Sequence, residues 1–402
     1  VNTDPRFFWL TNFIETLTQT VIWQAITSAT IADQYKQLLT KYAEDTSSCP
    51  EFVQWQGHDF SMRGMSSVET GAVSDAAHLL SFTGTDTVTG ILFLEEYYGA
   101  NVEKELVGGS IPATEHAVMC AGGDGLENEY KTYRRIIEDI YPSGNVSIVS
   151  DTWDFFAVLR KILPSLKSKI MGRNGKTVIR PDSGDPVKII CGYIVEKVPY
   201  TRAEIRTMKM AMSACDKLWN GEHDCIETTD GHYLNINHED LTYDEVLGAI
   251  EILYQEFGGV VNSKGYKELD THIGLIYGDS ITLERCERIC EELKTKGFSS
   301  TNVVFGIGSY TYQYNTRDTF SIACKATNVV INGESKAIFK DPKTGSSKKS
   351  AKGLLSVVKD EIMLDSLKLI NNCTPEQEAG GLLQTIFLNG KQENKQTLSE
   401  IR

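Results

Sequence analysis

The stretch KTVIRPDSG, residues 176–184, joins a run of apolar, β-branched residues to a polar cluster. Val178 and Ile179 are typical of a buried strand, and Arg180 and Asp182 follow where that strand would end. Three other stretches have the same design: NVSIVSD at 145–151, IGLIYGDS at 273–280 and TNVVFGIGS at 301–309. Helical patterns separate them, which indicates parallel strands with crossover helices. We therefore expect an α/β fold in which the polar strand ends converge on one pocket.

Helical periodicity predicts a long first helix from Phe7 to Tyr42, a second from Ser66 to Phe82 and another from Thr282 to Lys296. Changes in composition divide the chain further. The expected organisation is a helical segment at 1–60, a first barrel part at 61–199, a charged and partly helical insertion at 200–258, a second barrel part at 259–330, and a basic loop with the C-terminal region at 331–402.

Charge and composition exclude several classes of protein. The 402 residues include 40 Lys and Arg against 54 Asp and Glu, a net charge of -14, which argues against binding to nucleic acid or an anionic membrane. Charged residues interrupt every apolar stretch before it could span a bilayer. Nine cysteines without a disulfide framework fit a cytoplasmic protein with reduced thiols. The chain starts at Val1 without Met and enters a helix at once, so we expect sequence upstream.

Cysteine and histidine spacing gives little support to a zinc site. The insertion contains Cys215, His223, Cys225, His232 and His238. These residues lack the CxxC pair that is common in structural zinc sites, which disfavours zinc. Cys286 and Cys290 are one helical turn apart and are expected to be buried thiols.

Arg180 and Asp182 suggest a site for a phosphorylated sugar. An arginine can bind phosphate or diphosphate with two parallel hydrogen bonds. A nearby Asp can accept hydrogen bonds from ribose hydroxyls or hold Mg²⁺. The alternative is an Arg–Asp pair that only stabilises a turn.

Phe60 and Arg63 could stack on a flat heterocycle and hold an anion beside it. The alternative is a packed Phe and a surface Arg. In Gly84-Thr85-Asp86-Thr87, Asp86 could accept a hydrogen bond from an amide or a ring N–H, or Thr85 or Asp86 could simply cap a helix.

Two further strings have possible roles in phosphate chemistry. His116 follows Glu115 and suits a nucleophilic or proton-relay imidazole, although a lone histidine is more often structural. Gly308 and Ser309 follow a strand and could bind phosphate through backbone N–H groups, with Arg317 close in sequence.

In order and spacing, several of these segments together resemble the nicotinamide phosphoribosyltransferases, which are type II phosphoribosyltransferases. The matching segments are HDFSMRGMSSVET, FTGTDTVTG, SIPATEH, SIVSD, VIRPDSGDP, YGDSIT and Thr316 to Asp318. The resemblance implies an irregular parallel (β/α) barrel and a homodimer with shared active sites. It also implies that nicotinamide and phosphoribosyl pyrophosphate are converted to nicotinamide mononucleotide and diphosphate, a step of NAD salvage.

The resemblance also implies a role for each matching residue. Phe60 would stack on nicotinamide, Asp86 would accept from its carboxamide with Ser110 nearby, and Arg63 would bind diphosphate. Ser147 and Asp151 would flank Mg²⁺ and diphosphate, and Asp182 would be a second tentative Mg²⁺ ligand. Arg180 would bridge base and diphosphate. The residues that would face the nucleotide are Asp182, Gly278 and Asp279, and those that would hold the 5′-phosphate are Gly308, Ser309 and Arg317. His116 would take a phosphoryl group from ATP, which is hydrolysed and stimulates turnover, and Lys340 would lie in an ATP-proximal loop.

Two features depart from the family pattern. The family's glycine run after the strand is here Gly308-Ser309-Tyr310, and the family has a substantial section before the segment that begins at Asn2. That section supplies a second aromatic ring for nicotinamide from the partner subunit. Two other functions stay open: a nicotinate phosphoribosyltransferase, which Asp86 disfavours by charge repulsion, and a non-catalytic binding or scaffold relative.

Overall fold

The computed structural model describes residues 3–210, 223–237, 239–339, 350–360 and 366–402. The chain divides into two compact units. The larger unit comprises residues 28–315 together with Arg402, and the smaller unit comprises residues 1–27 and 316–401.

Six parallel strands form the framework of the larger unit. The strands of this unit, in chain order, are β1 (Gly57–Asp59), β2 (Gly84–Thr85), β3 (Val146–Val149), β4 (Thr177–Arg180), β5 (Val195–Lys197), β6 (Cys225–Glu227), β7 (Tyr233–Asn235), β8 (Asp240–Leu241), β9 (Gly259–Val261), β10 (Lys267–Leu269), β11 (Ile273–Tyr277) and β12 (Val303–Ile307). The main sheet has the order β2-β1-β12-β11-β4-β3, and every neighbouring pair is parallel. All residues of β3, β4 and β11 are buried, as expected for strands covered on both faces.

The segment 109–114 joins the two edges of this sheet. At one edge, the Thr85 N–H donates to the Gly109 carbonyl over 3.0 Å; at the other, the Thr114 N–H donates to the Ser147 carbonyl over 3.0 Å. Parallel bridges Gly84–Gly109 and Ala113–Ser147 accompany these bonds. The six strands and this segment therefore close an irregular parallel barrel, and the predicted fold class is confirmed.

Helices cover the outside of the barrel. Ser67 caps the helix Val68–His78 through a capping box with Thr70, and Thr282 caps Leu283–Thr295, so both predicted helices are confirmed with shorter bounds. Asp86 and Thr85 do not cap the next helix, since Thr87 occupies that position. The helices of the larger unit are Val53–Gln56, Val68–His78, Val88–Tyr98, His116–Ala121, Gly125–Arg135, Phe155–Ala157, Leu163–Met171, Pro186–Cys191, Arg202–Met210, Tyr243–Leu247, Ala249–Phe257, Leu283–Thr295 and Ser309–Tyr312, with 3₁₀ turns at Pro50–Phe52, Met62–Gly64 and Ser300–Asn302 and π-helical turns at Ile136–Ile140 and Val158–Ile162.

The predicted insertion contains part of a second, small sheet. Strands β5, β6, β7 and β8 form it, with the apolar cluster Val198, Ile205, Ile226 and Leu234. Cys215 and His238 lie outside the described residues. Within the described ranges, no group of three or more His, Cys, Asp or Glu side chains is placed to hold a metal ion. The cysteines of these ranges are all free, and Cys286 and Cys290 are buried as predicted.

The smaller unit is built from hairpins and the start of the long helix Thr11–Thr46, which continues into the larger unit. Its strands are β13 (Asn328–Ile331), β14 (Glu334–Ala337), β15 (Leu355–Lys359), β16 (Leu367–Asn371), β17 (Phe387–Leu388) and β18 (Lys391–Gln392), paired in sequence order, with a 3₁₀ turn at Pro5–Leu10 and helices at Pro375–Ala379 and Leu398–Ile401. Among the helices of the described residues, none is long and apolar enough to cross a bilayer.

His78 is a fully buried histidine at the end of its helix. Its Nε2 lies 3.1 Å from the Gly84 carbonyl oxygen and its Nδ1 lies 2.7 Å from the Tyr312 hydroxyl. Because a carbonyl can only accept, Nε2 carries the proton and Nδ1 accepts from Tyr312. Burial lowers the pKa of His78 to about 4, so the ring is neutral at physiological pH.

We expect this histidine to make the fold sensitive to acid. The unfolded chain takes up a proton near pH 6.5 and the folded chain does so only near pH 4, so stability falls as pH falls through this window. The loss should be of the order of 3 kcal/mol at full protonation. Urea unfolding between these pH values should show a weaker acid dependence in His78→Gln, and the exposed control His232→Gln should behave like the parent. Equal acid dependence in parent and His78→Gln would contradict the assignment.

Candidate active site

The site lies at the carboxyl ends of the barrel strands. Because all six strands are parallel, these ends meet at one rim. Phe60 follows β1, Asp86 follows β2, Asp151 follows β3 and Asp182 follows β4. The residues after β11 and β12 are Gly278 with Asp279 and Gly308 with Ser309. The fold therefore brings these predicted site residues to the same rim.

The Phe60 ring rests directly on two strand ends that carry glycine. A Cβ atom on Gly306 would lie 2.4 Å from a ring carbon, and one on Gly278 would lie 2.9 Å from the ring. The Phe60 N–H donates to the Ile307 carbonyl over 2.9 Å, which fixes the backbone below the ring. The edge of His58 packs against it at a centroid distance of 5.2 Å. Glycine at 278 and 306 is therefore a steric requirement of the ring position.

Asp86 is held in the ionised form beside this ring. Its Oδ1 accepts a short hydrogen bond from the Ser110 hydroxyl and lies 3.2 Å from His58 Nε2. Burial raises the pKa of Asp86, but the bond and charge of His58, the Ser110 hydroxyl and the charge of Arg180 together lower it below its usual value. His58 thus links an oriented carboxylate to the Phe60 ring.

His58 is a site residue that sequence reasoning missed. It lies in the HDF string together with Phe60, but the sequence pattern alone indicates no role for it. The side chain is buried, and its contact with Asp86 depends on the pairing of β1 with β2. A histidine two residues before the aromatic ring was the available signal.

A second group of residues, across the rim, suits an anion. Arg180 is buried and donates through Nη2 to the Thr114 carbonyl over 2.9 Å. Its Nε lies 3.6 Å from Asp182 Oδ2 and makes no hydrogen bond, and the buried Ser147 hydroxyl also has no partner among the described residues. Buried polar groups are rarely left unpaired in native proteins. These two groups are therefore suitable for a polar ligand.

Asp151 connects His116 to the Asp182 loop. Its side chain is only 5% exposed; Oδ1 lies 3.2 Å from His116 Nε2 and Oδ2 accepts from the Asp182 N–H over 2.9 Å. Burial raises the pKa of Asp182, and the nearby Arg180 partly offsets this effect. Both oxygens of Asp151 are occupied, whereas Asp182 keeps an oxygen that faces the rim near Gly278.

The other predicted residues are less closely connected. The Arg63 guanidinium is exposed and lies 3.4 Å from Glu115 Oε1. Asp279 is exposed, and the Ser309 hydroxyl packs against Gly64. Arg317 belongs to the smaller unit, where it pairs with Asp318 and lines a cavity with Thr16, Gln19, Thr20 and Trp23. Lys340 lies outside the described residues.

Comparison with known proteins adds independent information. Residues 55–390 match the model of the nicotinate phosphoribosyltransferase (NAPRTase) family. A nicotinamide phosphoribosyltransferase of Acinetobacter baylyi is 46% identical over 409 residues, 100% of this chain and 71% of that protein. One of Mycoplasma pneumoniae is 37% identical and covers 87% of this chain and 64% of its own length. A solved nicotinate-nucleotide pyrophosphorylase of Pyrococcus furiosus covers 94% of this chain and 68% of its own, with 14% identity and a TM-score of 0.47.

The packing of the Phe60 ring against Gly306 can be tested by a pair of glycine substitutions. Gly306→Ala places a methyl group 2.4 Å from the ring and should cost about 1–3 kcal/mol of unfolding free energy through overpacking. Gly308→Ala is the control, because its Cβ would meet no atom within 4 Å; it should stay within about 0.5 kcal/mol of the parent. Urea unfolding gives both values, and equal midpoints for the two variants would show that the ring does not rest on Gly306.

Proposed function

Because this chain belongs to the nicotinate phosphoribosyltransferase family, we propose that it transfers the 5-phosphoribosyl group of phosphoribosyl pyrophosphate to nicotinamide. The products are nicotinamide mononucleotide and diphosphate, and the process is NAD salvage. The observation that carries the proposal is the pairing at one rim of an aromatic face and a carboxylate with a buried, partly unpartnered arginine. The names of the similar proteins support the same substrate.

Phe60 and Asp86 recognise the base in this proposal. The pyridine ring stacks on Phe60, and the carboxamide N–H₂ donates to Asp86. His58 and Ser110 hold that carboxylate in place through its Oδ1. Nicotinate would bring a second carboxylate toward Asp86, so the amide is the better substrate. A nicotinate transferase, the activity for which the family model is named, is the second candidate.

Arg180, Ser147 and Arg63 bind the diphosphate. Cleavage of the C1–diphosphate bond leaves positive charge on the ribose and negative charge on the leaving group, as in glycoside chemistry. Arg180 Nε and the Ser147 hydroxyl, which have no hydrogen-bond partner among the described residues, would donate to that negative charge. The pyridine nitrogen attacks C1 with its lone pair and is unprotonated at neutral pH, so no general base is required. Positioning by Phe60 and Asp86 supplies much of the rate.

Asp182 is the residue that suits Mg²⁺ best. Magnesium typically binds one or two carboxylates together with substrate phosphates, and it would neutralise charge on the diphosphate. Asp182 has an oxygen that faces the rim near Gly278. Asp151 is nearly buried and already contacts His116 and the Asp182 backbone N–H, so it is the less accessible of the two predicted Mg²⁺ ligands. Gly278 would face the ribose beside it, and Asp279 would be a further acid of the nucleotide site.

The remaining roles rest on the resemblance. Gly308, Ser309 and Arg317 would hold the 5′-phosphate, and a homodimer would share its active sites. Lys340 would lie near ATP. The chain spans 71% of the Acinetobacter relative and 64% of the Mycoplasma relative, so the activity of the whole protein is part of the proposal.

His116 is proposed to accept the γ-phosphoryl group of ATP, with release of ADP. The imidazole is 47% exposed, so ATP can approach it, and the buried Asp151 carboxylate orients the ring. A phosphohistidine at this position would add negative charge near Arg180 and order the diphosphate pocket. Hydrolysis of the phosphohistidine would complete the ATP cycle.

The base preference provides the test of the proposed function. With phosphoribosyl pyrophosphate, kcat/KM should favour nicotinamide over nicotinate by at least about a hundred-fold, because a like charge faces nicotinate in the pocket. Asp86→Asn should lower the efficiency with nicotinamide and narrow the ratio, while the exposed control Glu96→Gln should change neither. Chromatography of the mononucleotide products gives the rates. A preference for nicotinate would establish the second candidate, and absence of both products would favour a non-catalytic relative.

The role of His116 has a separate test. His116→Ala should abolish ATP consumption and leave slow synthesis of nicotinamide mononucleotide, since phosphorylation assists turnover without being part of the transfer. The exposed His232→Ala variant is the control and should retain both activities. ADP release is measured beside product formation. ATP hydrolysis at the parental rate in His116→Ala would exclude this histidine as the phosphoryl acceptor.

A further inference from the structure

Two fully buried aspartates lie beneath the base site. Asp59 ends β1, and Asp75 lies on the helix Val68–His78. Asp59 Oδ1 accepts from the Ser61 N–H over 2.6 Å and from the Thr87 hydroxyl over 3.0 Å. Asp75 Oδ1 accepts from the Thr85 hydroxyl over 2.6 Å. Neither residue was singled out for a role by the sequence.

In the described part of the chain, the other oxygen of each aspartate has no donor. Asp59 Oδ2 and Asp75 Oδ2 are buried and unpartnered among the described residues, yet the two side chains are within hydrogen-bonding reach of one another. The facing helix offers no side chain there, since a Cβ on Gly90 would lie 2.0 Å from Asp75 Oδ2. Two ionised carboxylates in contact inside a protein are strongly disfavoured, and one proton between them removes the repulsion. Burial, followed by the charge of Asp59, raises the pKa of Asp75 well above its usual value.

The hydrogen bonds of this pair reach both sides of the base site. Phe60 lies between Asp59 and Ser61, and the Ser61 N–H is bound by Asp59. Asp86 lies between Thr85 and Thr87, whose hydroxyls are bound by Asp75 and Asp59 respectively. The Thr87 N–H also donates to the Thr85 hydroxyl over 2.8 Å, so the connection is continuous.

We propose that Asp59 and Asp75 share one proton and that this acid pair positions Phe60 relative to Asp86. The inference rests on the proposed function, because it assigns the pair a role in the binding of nicotinamide. Asp59 and Asp75 are positioning residues: they touch the segments that carry the ring and the carboxylate, and they do not touch the substrate. The singly protonated pair can accept hydrogen bonds from the Ser61 N–H and from the Thr85 and Thr87 hydroxyls. Apolar side chains at these two positions could not accept them.

Two substitutions at Asp75 separate charge from shape. Asp75→Asn resembles the protonated acid: its carbonyl can accept from Thr85 and its NH₂ can donate to Asp59, so the nicotinamide KM should stay within about three-fold of the parent. Asp75→Ala leaves Asp59 without a donor and Thr85 without an acceptor, and should raise the nicotinamide KM about ten-fold or more. The KM for phosphoribosyl pyrophosphate should change less than about two-fold, because no bond of the pair reaches Arg180 or Asp182.

Two further measurements keep the test independent of folding and of the proposed reaction. Thr87→Val removes only the hydroxyl between Asp59 and the Asp86 segment, and it should also raise the nicotinamide KM. This variant provides the test of the positioning role if Asp75→Ala does not fold. The infrared difference spectrum of parent minus Asp75→Asn should contain the C=O band of a protonated carboxyl group. The matched control is Glu129→Gln, which removes another buried carboxyl group and should leave the nicotinamide KM unchanged.

An unchanged nicotinamide KM in both Asp75→Ala and Thr87→Val would overturn the positioning role. Loss of nicotinamide binding in Asp75→Asn equal to that in Asp75→Ala, or absence of the carboxyl band, would overturn the shared proton. If the parent made no nucleotide at all, the proposed function would fail, while the infrared band would still decide whether the two acids share a proton.

Discussion

The closure of the parallel sheet by the segment 109–114 is the constraint on which the site depends. Six parallel strands alone would leave two open edges, and the carboxyl ends of β2 and β3 would lie at opposite sides of the sheet. The segment bonds to both edges and brings them into one rim. It also contributes a side chain at one end and a carbonyl at the other: Ser110 donates to Asp86, and the Thr114 carbonyl accepts from Arg180. Closure of the barrel and assembly of the site therefore depend on the same segment.

Electrostatics inside this rim differs from that of the whole chain. The net charge of -14 repels a polyphosphate at long range, so binding depends on local, desolvated groups. Arg180 is buried and its Nε has no hydrogen-bond partner among the described residues, whereas both oxygens of Asp151 are in contact with His116 or a backbone N–H. On the other side, the charge of Arg180 helps to keep Asp86 ionised. One arginine thus supports both the anion group and the base group.

The sequence predicted those elements whose signal is local. Apolar runs that end in polar clusters predicted the positions of β3, β4, β11 and β12, and helical periodicity predicted two helices close to Val68–His78 and Leu283–Thr295. The closing segment was not predicted as part of the barrel, because it contains Pro112 and forms only isolated bridges. Asp75 has the appearance of an ordinary polar residue in a helix, and only its packing against Gly90 and Thr85 shows that it is buried. The partners of His58 and Thr114 likewise depend on which strands become neighbours.

The two halves of the site are stabilised by different means, and this has a consequence for specificity. The base half is fixed by sterics and by hydrogen bonds within the protein: glycine at 278 and 306 admits the ring, and the acid pair holds the segments on either side. In the anion half, Arg180 Nε and the Ser147 hydroxyl have no hydrogen-bond partner among the described residues. Hydrogen bonds made within the protein fix the geometry before a ligand binds, whereas unpaired donors can gain bonds when an anion arrives. Base selection should therefore be rigid in this barrel, and ordering on binding should be concentrated at the phosphate side.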